Sequence, residues 1–305
     1  MNLETAKRLS QKYALLGRMI SPVQHFRASA LQKSRAGKRE VVRNLRNVLV
    51  TDPEVVIKEF EGKFSIDYRS DLFERIVIDG HYEPDLVRFC KKYLVGRRDV
   101  LDIGANIGFY TVMFAKNLHG RRVVAVEPTQ NALKRLRTNI TLNHVEDRVV
   151  VYEGVVTDKA EKVTMKVIPG KEEYSSIGVM EHPSIVQEEY VSEEVDSITV
   201  DDLVERFNID PGFMKVDVEG GEHLVFSGAK KTLSISRPII LSELSDFLLT
   251  RNGGSSMEVV NLLRQYDYDV IDPLNPWAPV GYKSFGDVIG FPKEMNLLDE
   301  LRRIA

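Results

Sequence analysis

From Arg98 onward, short apolar runs alternate with amphipathic segments, and no other feature of the sequence restricts the fold so strongly. Residues 100–103, 122–127, 148–152, 163–168, 213–217 and 238–243 read as strands, with closing strands at 268–272 and 287–291. Between them, 108–118, 130–143, 198–207, 220–232 and 256–266 carry apolar residues at helical spacing. Strands that are apolar throughout must be covered on both faces, and helices in the connections supply that cover. The predicted fold class is therefore α/β, a doubly wound, mostly parallel sheet. Residues 171–194, rich in Glu and Ser, read as an irregular insertion.

The chain before this alternation has a different character. Apolar spacing over 3–20 and 23–49, broken at Ser21-Pro22, predicts two helices. Alternation over 54–67 predicts a small hairpin turning near Gly62, and 71–78 and 84–94 predict two further helices, with Pro84 in the first turn of the second. The expected organisation is a helical extension at 1–50, a hairpin and helix lead-in at 51–78, and an α/β domain at 79–305. The extension holds eleven Lys and Arg against Glu4 and Glu40, an excess of nine positive charges in a chain of net charge −3. It reads as a solvated arm that could serve homo-oligomerisation or contact with a membrane surface or an acidic partner. No nucleic-acid partner is expected. No run of about 18 apolar residues predicts a transmembrane span, and residues 1–20 lack the apolar stretch of a secretory signal. The one cysteine, Cys90, cannot form an internal disulfide, and no Cys/His spacing predicts a metal site. Set among apolar residues at helical spacing, it reads as a buried thiol in a reducing, cytoplasmic setting.

Three segments carry the chemistry. The first, Val100-Leu-Asp-Ile-Gly-Ala-Asn-Ile-Gly-Phe-Tyr110, runs from a strand through a glycine-bearing turn into a helix. At the carboxyl edge of an open α/β sheet such a turn faces ligand, with Gly104 and Gly108 allowing close backbone approach and Asp102 able to accept a hydrogen bond. Its Gly-x-x-x-Gly spacing differs from the Gly-x-Gly-x-x-Gly of a dinucleotide turn, which disfavours a pyrophosphate site. The second is Glu127, ending the next strand, where a carboxylate can accept both hydroxyls of a ribose. The third is Lys215-Val-Asp-Val-Glu-Gly-Gly-Glu-His223. There Asp217 and Glu219, two residues apart, would share a side of extended backbone. Glu222 also reads as an acid at a helix N-terminus, and His223 as a helix-surface residue.

Together with Gly80-His-Tyr-Glu-Pro84, Val126-Glu-Pro128, Val156-Thr-Asp158, Ser197-Ile-Thr-Val-Asp-Asp-Leu203 and Pro238-Ile-Ile-Leu-Ser-Glu243, these segments resemble the FkbM-type family of class I, Rossmann-like methyltransferases. The likeness runs from about residue 78 to 292 and leaves out the first 50 residues. It implies a seven-stranded sheet, S-adenosyl-L-methionine as methyl donor, and methylation of a hydroxyl on a sugar, glycan or other natural product. Carried onto this sequence, it places Asp102, Gly104, Ala105, Asn106 and Gly108 around the methionine part of the cofactor and Glu127 at the ribose. Glu153 to Asp158 would border the adenine, and Glu83 would reach the cofactor's amino group. Asp217 would lie beneath the methionine and the methyl, with Glu219, Glu222 and Glu243 toward the acceptor.

Methyl transfer from a sulfonium is an in-line displacement that depends on alignment, and a carboxylate can take the acceptor's proton. Asp217, Glu219 and Glu243 are the expected catalytic acids. Two other readings fit parts of the sequence. An NAD(P)-linked oxidoreductase would share the fold and the ribose acid, and a non-catalytic cofactor-binding scaffold could act through the basic arm.

Overall fold

The computed structural model describes residues 35–49, 51–94, 98–168, 190–274 and 280–296. The helix expected at 3–20 lies outside them, as does most of the predicted insertion. Of the helix expected at 23–49, the described part is α1 (Arg35–Val48). Then come the hairpin strands β1 (Glu54–Ile57) and β2 (Gly62–Ser65), and the helices α2 (Asp71–Asp79) and α3 (Pro84–Tyr93). The turn falls at 58–61, with Glu61 in the left-handed region, so Gly62 opens the second strand instead of forming the bend.

The alternating region supplies β3 (Asp99–Ile103), α4 (Phe109–Asn117), β4 (Val123–Glu127), α5 (Gln130–Leu142) and β5 (Val149–Glu153). Next are β6 (Val155–Val156), β7 (Lys162–Val167), β8 (Val191–Ile198), α6 (Val200–Phe207), β9 (Pro211–Val216) and α7 (Glu222–Ser227). The chain then runs through β10 (Ile239–Ser245), α8 (Asp246–Arg251), α9 (Ser256–Gln265), β11 (Tyr268–Ile271) and β12 (Phe285–Pro292). Strand β6 and helix α8 were not expected, and two further details depart from expectation. The end of the supposed insertion is strand β8, paired antiparallel to β7 and parallel to β6. The helix expected over 220–232 stops at Ser227, and a π-helical turn occupies Thr232–Ser236.

Seven strands form the main sheet in the order β11-β12-β10-β9-β3-β4-β5. All are parallel except β12, which runs against both β10 and β11. Alternate strand residues enter two separate cores. Val100, Val123, Ala125, Phe213 and Ile239 pack toward α3, α4, α5 and the hairpin. Leu101, Ile103, Val124, Met214 and Ile240 pack toward α6, α7 and α9. The hairpin is bound to the first core through side chains of α5. Asn139 and Asn143, one helical turn apart, exchange hydrogen bonds with the backbone of Ser65 and Lys63 along the edge of β2. Helix α1 packs on α2 with Val42 buried, and Arg46 donates to the carbonyls of Tyr68 and Ser70 and pairs with Glu74 at 3.3 Å. Among the described residues no helix is long and apolar enough to cross a membrane.

Candidate active site

Strand order reverses between β3 and β9, since the chain winds outward from β3 through β4 and β5 on one side and through β9 and β10 on the other. At such a point the two flanking connections leave in opposite directions and open a crevice beyond the carboxyl ends. A cavity of about 460 Å³ lies there, within the ~300–1,000 Å³ typical of small-molecule sites. It is walled by the ends of β3, β4 and β9, by α2 and the start of α3, by Gly154 to Val156 with Met165, and by Glu243 facing Phe285 to Asp287.

Glu83, Gly104, Asn106, Glu127, Asp217, Glu219 and Glu243, scattered over 160 residues of sequence, all line this one cavity. Glu127 is held rigidly. One carboxylate oxygen accepts from the backbone N–H of Asn106 at 2.9 Å, the other from the N–H of Thr129 at 2.9 Å and its hydroxyl at 2.6 Å. Burial raises the pKa of this carboxyl, and the donors from Thr129 and Asn106 work against that rise. Among the described residues the oxygen facing Asn106 accepts a single bond, which leaves it acceptor capacity for a ligand. Glu83 precedes α3 in the left-handed conformation, and its carboxylate accepts from the Tyr110 hydroxyl at 2.8 Å. Asp217 and Glu219 reach the cavity from a turn. Strand β9 ends at Val216, and Glu219 has φ of 54°, so extended backbone is not what brings the two acids to one side.

Asp102, Ala105 and Gly108 support the site without lining it. Asp102 is fully buried on the α4 side of the sheet. One of its oxygens accepts from the Thr111 hydroxyl, and the other has no hydrogen-bond partner among the described residues. Burial raises its pKa, and Lys215 opposes the rise. Lys215 lies directly beside Asp102 in the β3–β9 register and donates to Asp217 at 2.9 Å, with its ammonium 4.9 Å from the Tyr110 ring centre. Burial alone would lower the lysine's pKa, but Asp217 and Asp102 outweigh it and raise the pKa above the ordinary lysine value. The sequence pattern contained Lys215 without giving it a task. What could have signalled it is a cation on a buried strand, two residues from an acid on the same face.

The glycines also act differently from expectation. A Cβ at Gly104, where φ is +83°, would stand 1.8 Å from the carbonyl oxygen of Asp217, so its bare backbone lets the ends of β3 and β9 touch. At Gly108 a Cβ would meet Leu136 of α5 at 2.5 Å. Glu153 is exposed and pairs with Arg137, and Asp158 is exposed beyond β6; neither lines the cavity. Glu222 turns away from it. Buried, it accepts from the backbone N–H groups of Val218 and Gly220, each at 3.2 Å, and so fixes the turn that carries Asp217 and Glu219. Burial pushes its pKa up to about 7 against those hydrogen bonds. His223, expected on a helix surface, is buried, and a Cβ on Gly254 would come within 2.4 Å of its ring. Cys90 is buried as expected, and burial pushes its thiol pKa up.

Asp287 is, with Asp71, a cavity acid that the sequence does not reveal. It lies on the antiparallel strand β12, directly opposite Glu243 of β10. Only the long-range register of those strands brings it to the site. Among the described residues no group of three or more His, Cys, Asp or Glu is arranged to hold a metal ion.

The sequence pattern of the methyltransferase FkbM domain matches residues 102–270, more than half of the chain. The chain belongs to the FkbM methyltransferase family. The matched stretch begins at Asp102 and ends inside β11, so it contains the glycine turn, Glu127, Asp217 and Glu243 but leaves out Glu83 and Asp287. Among solved structures it is similar to a methyltransferase FkbM from Methylobacillus flagellatus, at 18% identity and a TM-score of 0.42, over 64% of this chain and 43% of that one. It thus spans less than half the length of that relative. It is also similar to an O-methyltransferase from Bacillus cereus solved in complex with SAH, at 15% identity and a TM-score of 0.40, over 82% of this chain and 96% of that one. A precorrin-6y C5,15-methyltransferase from Geobacter metallireducens aligns at 12% identity and a TM-score of 0.41, over 69% of this chain and 87% of that one. No curated protein matches the chain.

Proposed function

We propose that this member of the FkbM family transfers a methyl group from S-adenosylmethionine to a hydroxyl oxygen of a sugar, glycan or other small natural product. The observation that carries the reading is the meeting of Glu127, Gly104 and Asp217 in a single cavity at the strand-order reversal. Glu127 on the opposite border of the sheet from Asp217, with no cleft between them, would have ruled it out.

The residues present suit the donor. Glu127, oriented by two backbone N–H groups and with a lone pair to spare, fits a ribose diol. The bend at Gly104 and Asn106 leads to the methionine end, where Glu83 offers a carboxylate to an ammonium. Asp217, Glu219 and Glu243 line the acceptor end, where carboxylates favour a sulfonium cation and can take a proton. When bound, the donor supplies a methyl carbon activated by positive sulfur. The protein's tasks are then alignment and removal of the acceptor's proton. An NAD(P)-linked reaction is disfavoured by the Gly-x-x-x-Gly spacing.

Calorimetry with S-adenosylhomocysteine and, separately, NADH tests the reading. S-adenosylhomocysteine is expected to bind and NADH not to, and the reverse result would overturn it. Removing Glu127 with Glu127→Ala is expected to weaken S-adenosylhomocysteine binding about 10- to 100-fold, the scale of losing a charge-assisted hydrogen-bond pair. Labelled donor incubated with fractionated small molecules and glycans of the source cell identifies the acceptor. Alkali-stable label on an ether oxygen is the expected product.

A further inference from the structure

Of the acids at the acceptor end, Asp217 is already engaged, because its carboxylate accepts from the Lys215 ammonium at 2.9 Å. Glu243 and Asp287 are differently placed. They stand directly opposite one another across the antiparallel β10–β12 pair and both line the cavity. Opposed residues of such a pair have Cβ atoms roughly 4.5–5.5 Å apart, and like charges there repel, so the two acids do not ionise independently. We propose that Glu243 and Asp287 form one acid–base pair that holds a single proton at neutral pH and accepts the acceptor's proton during methyl transfer. This rests on the methyl-transfer reading above and adds Asp287 as a catalytic residue.

The step balances. The acceptor oxygen forms a bond to the methyl carbon as the carbon–sulfur bond breaks, the bonding electrons go to sulfur, and the hydroxyl proton passes to the ionised carboxylate of the pair. No other reactant is needed.

The surroundings set the order in which the two acids ionise. Burial, then the charges of Glu83 and Asp217, raise the Asp287 pKa to about 6, with Lys215 and Lys283 opposing. Burial, then Asp217, Asp287 and Glu83, raise that of Glu243 to about 8, with Lys215 opposing. These groups reach the pair from the residue before α3 (Glu83), from β9 (Lys215) and the turn that follows it (Asp217), and from the segment before β12, where Lys283 pairs with Asp272. Between the two transitions the pair carries one negative charge, and its behaviour belongs to both residues together. Asp287 ionises first, and its charge then helps hold the proton of Glu243.

Infrared difference titration of the full chain without cofactor, from pH 5 to 9, tests the pair without an acceptor. Carboxylic-acid bands that disappear near pH 6 and near pH 8 are expected, and comparison with the Glu243→Gln and Asp287→Asn variants assigns them to the pair, because the other buried acids, Asp102, Glu127 and Glu222, are present in both variants. Glu243→Gln should remove the upper transition and leave the lower in place, while Asp287→Asn should remove the lower and move the upper to lower pH. An upper transition unmoved in Asp287→Asn overturns the pair. Labelled donor with the acceptor pool of a cell extract reads the catalytic role. Asp287→Asn is expected to lower the transfer rate at least about a hundredfold, the scale of general-base assistance, with S-adenosylhomocysteine affinity kept within about threefold. An undiminished rate overturns the role. If the unmodified chain binds no S-adenosylhomocysteine, the methyl-transfer reading itself fails, whatever the infrared transitions show.

Discussion

Glu222 illustrates how a single carboxylate can serve the site from outside it. Its pKa of about 7 lies above the ordinary glutamate value near 4.5, so on raising the pH the unfolded chain ionises first. The folded state is therefore favoured below about pH 4.5, and that advantage is lost as pH rises toward 7. Glu222→Gln keeps an oxygen for the N–H groups of Val218 and Gly220 and removes the titration. The variant should gain stability relative to the parent between pH 4.5 and 7, by up to about 3 kcal/mol for a difference of this size. Thermal unfolding at several pH values measures this, and parallel curves for the two proteins would refute it. Gly104 makes the complementary case in the backbone. Gly104→Ala must adopt φ near +83° and displace the Asp217 carbonyl, so a loss of about 2 kcal/mol or more is expected in urea unfolding. At this scale the sequence was informative where a residue's neighbours in the chain fix its place at the cavity. Glu127 at a strand end and Glu83 before a proline are such cases. It was silent where partners come from elsewhere, as with Lys215 beside Asp102 or Asp287 opposite Glu243.

Among the elements, the hairpin has the clearest structural role. Phe60, in its turn, packs edge-on to Tyr110 at 5.0 Å and tilted against Phe109 at 5.2 Å, while Tyr110 hydrogen-bonds Glu83 at the cavity wall. The hairpin thereby holds the start of α4 and, through it, the residue that opens α3. Phe60→Ala is expected to cost about 3–5 kcal/mol in urea unfolding, the range for deleting a buried aromatic ring. It should also weaken S-adenosylhomocysteine binding severalfold, although Phe60 does not line the cavity. Unchanged affinity would mean the hairpin only adds stability. Most strands and helices from 98 onward were legible because each carries an apolar period, whereas the two-residue β6 and the short α8 are too brief to show one. The turn of the hairpin, the early stop of α7 and strand β8 were not legible either. In β8, Val191 to Asp196 alternate mostly exposed with half-buried residues, so the apolar signal is weak and pairing with β7 and β6 makes the strand.

At the level of the whole molecule, the parallel part of the sheet lines the side of the cavity that the proposed function gives to the donor, and the antiparallel part supplies the far wall. A strand laid in reverse meets the ligand edge with its first residues, so Phe285 to Asp287 arrive there straight from the connection that follows β11. Among its described residues that connection pairs with no parallel strand, and none of them lines the cavity. Exchanging residues 273–284 with those of another family member should therefore alter which acceptor is methylated while S-adenosylhomocysteine affinity stays within about threefold. A chimera that loses donor affinity would contradict this division. The reversed strand would then be where evolution rewrites the acceptor preference of an otherwise fixed methyl-handling frame.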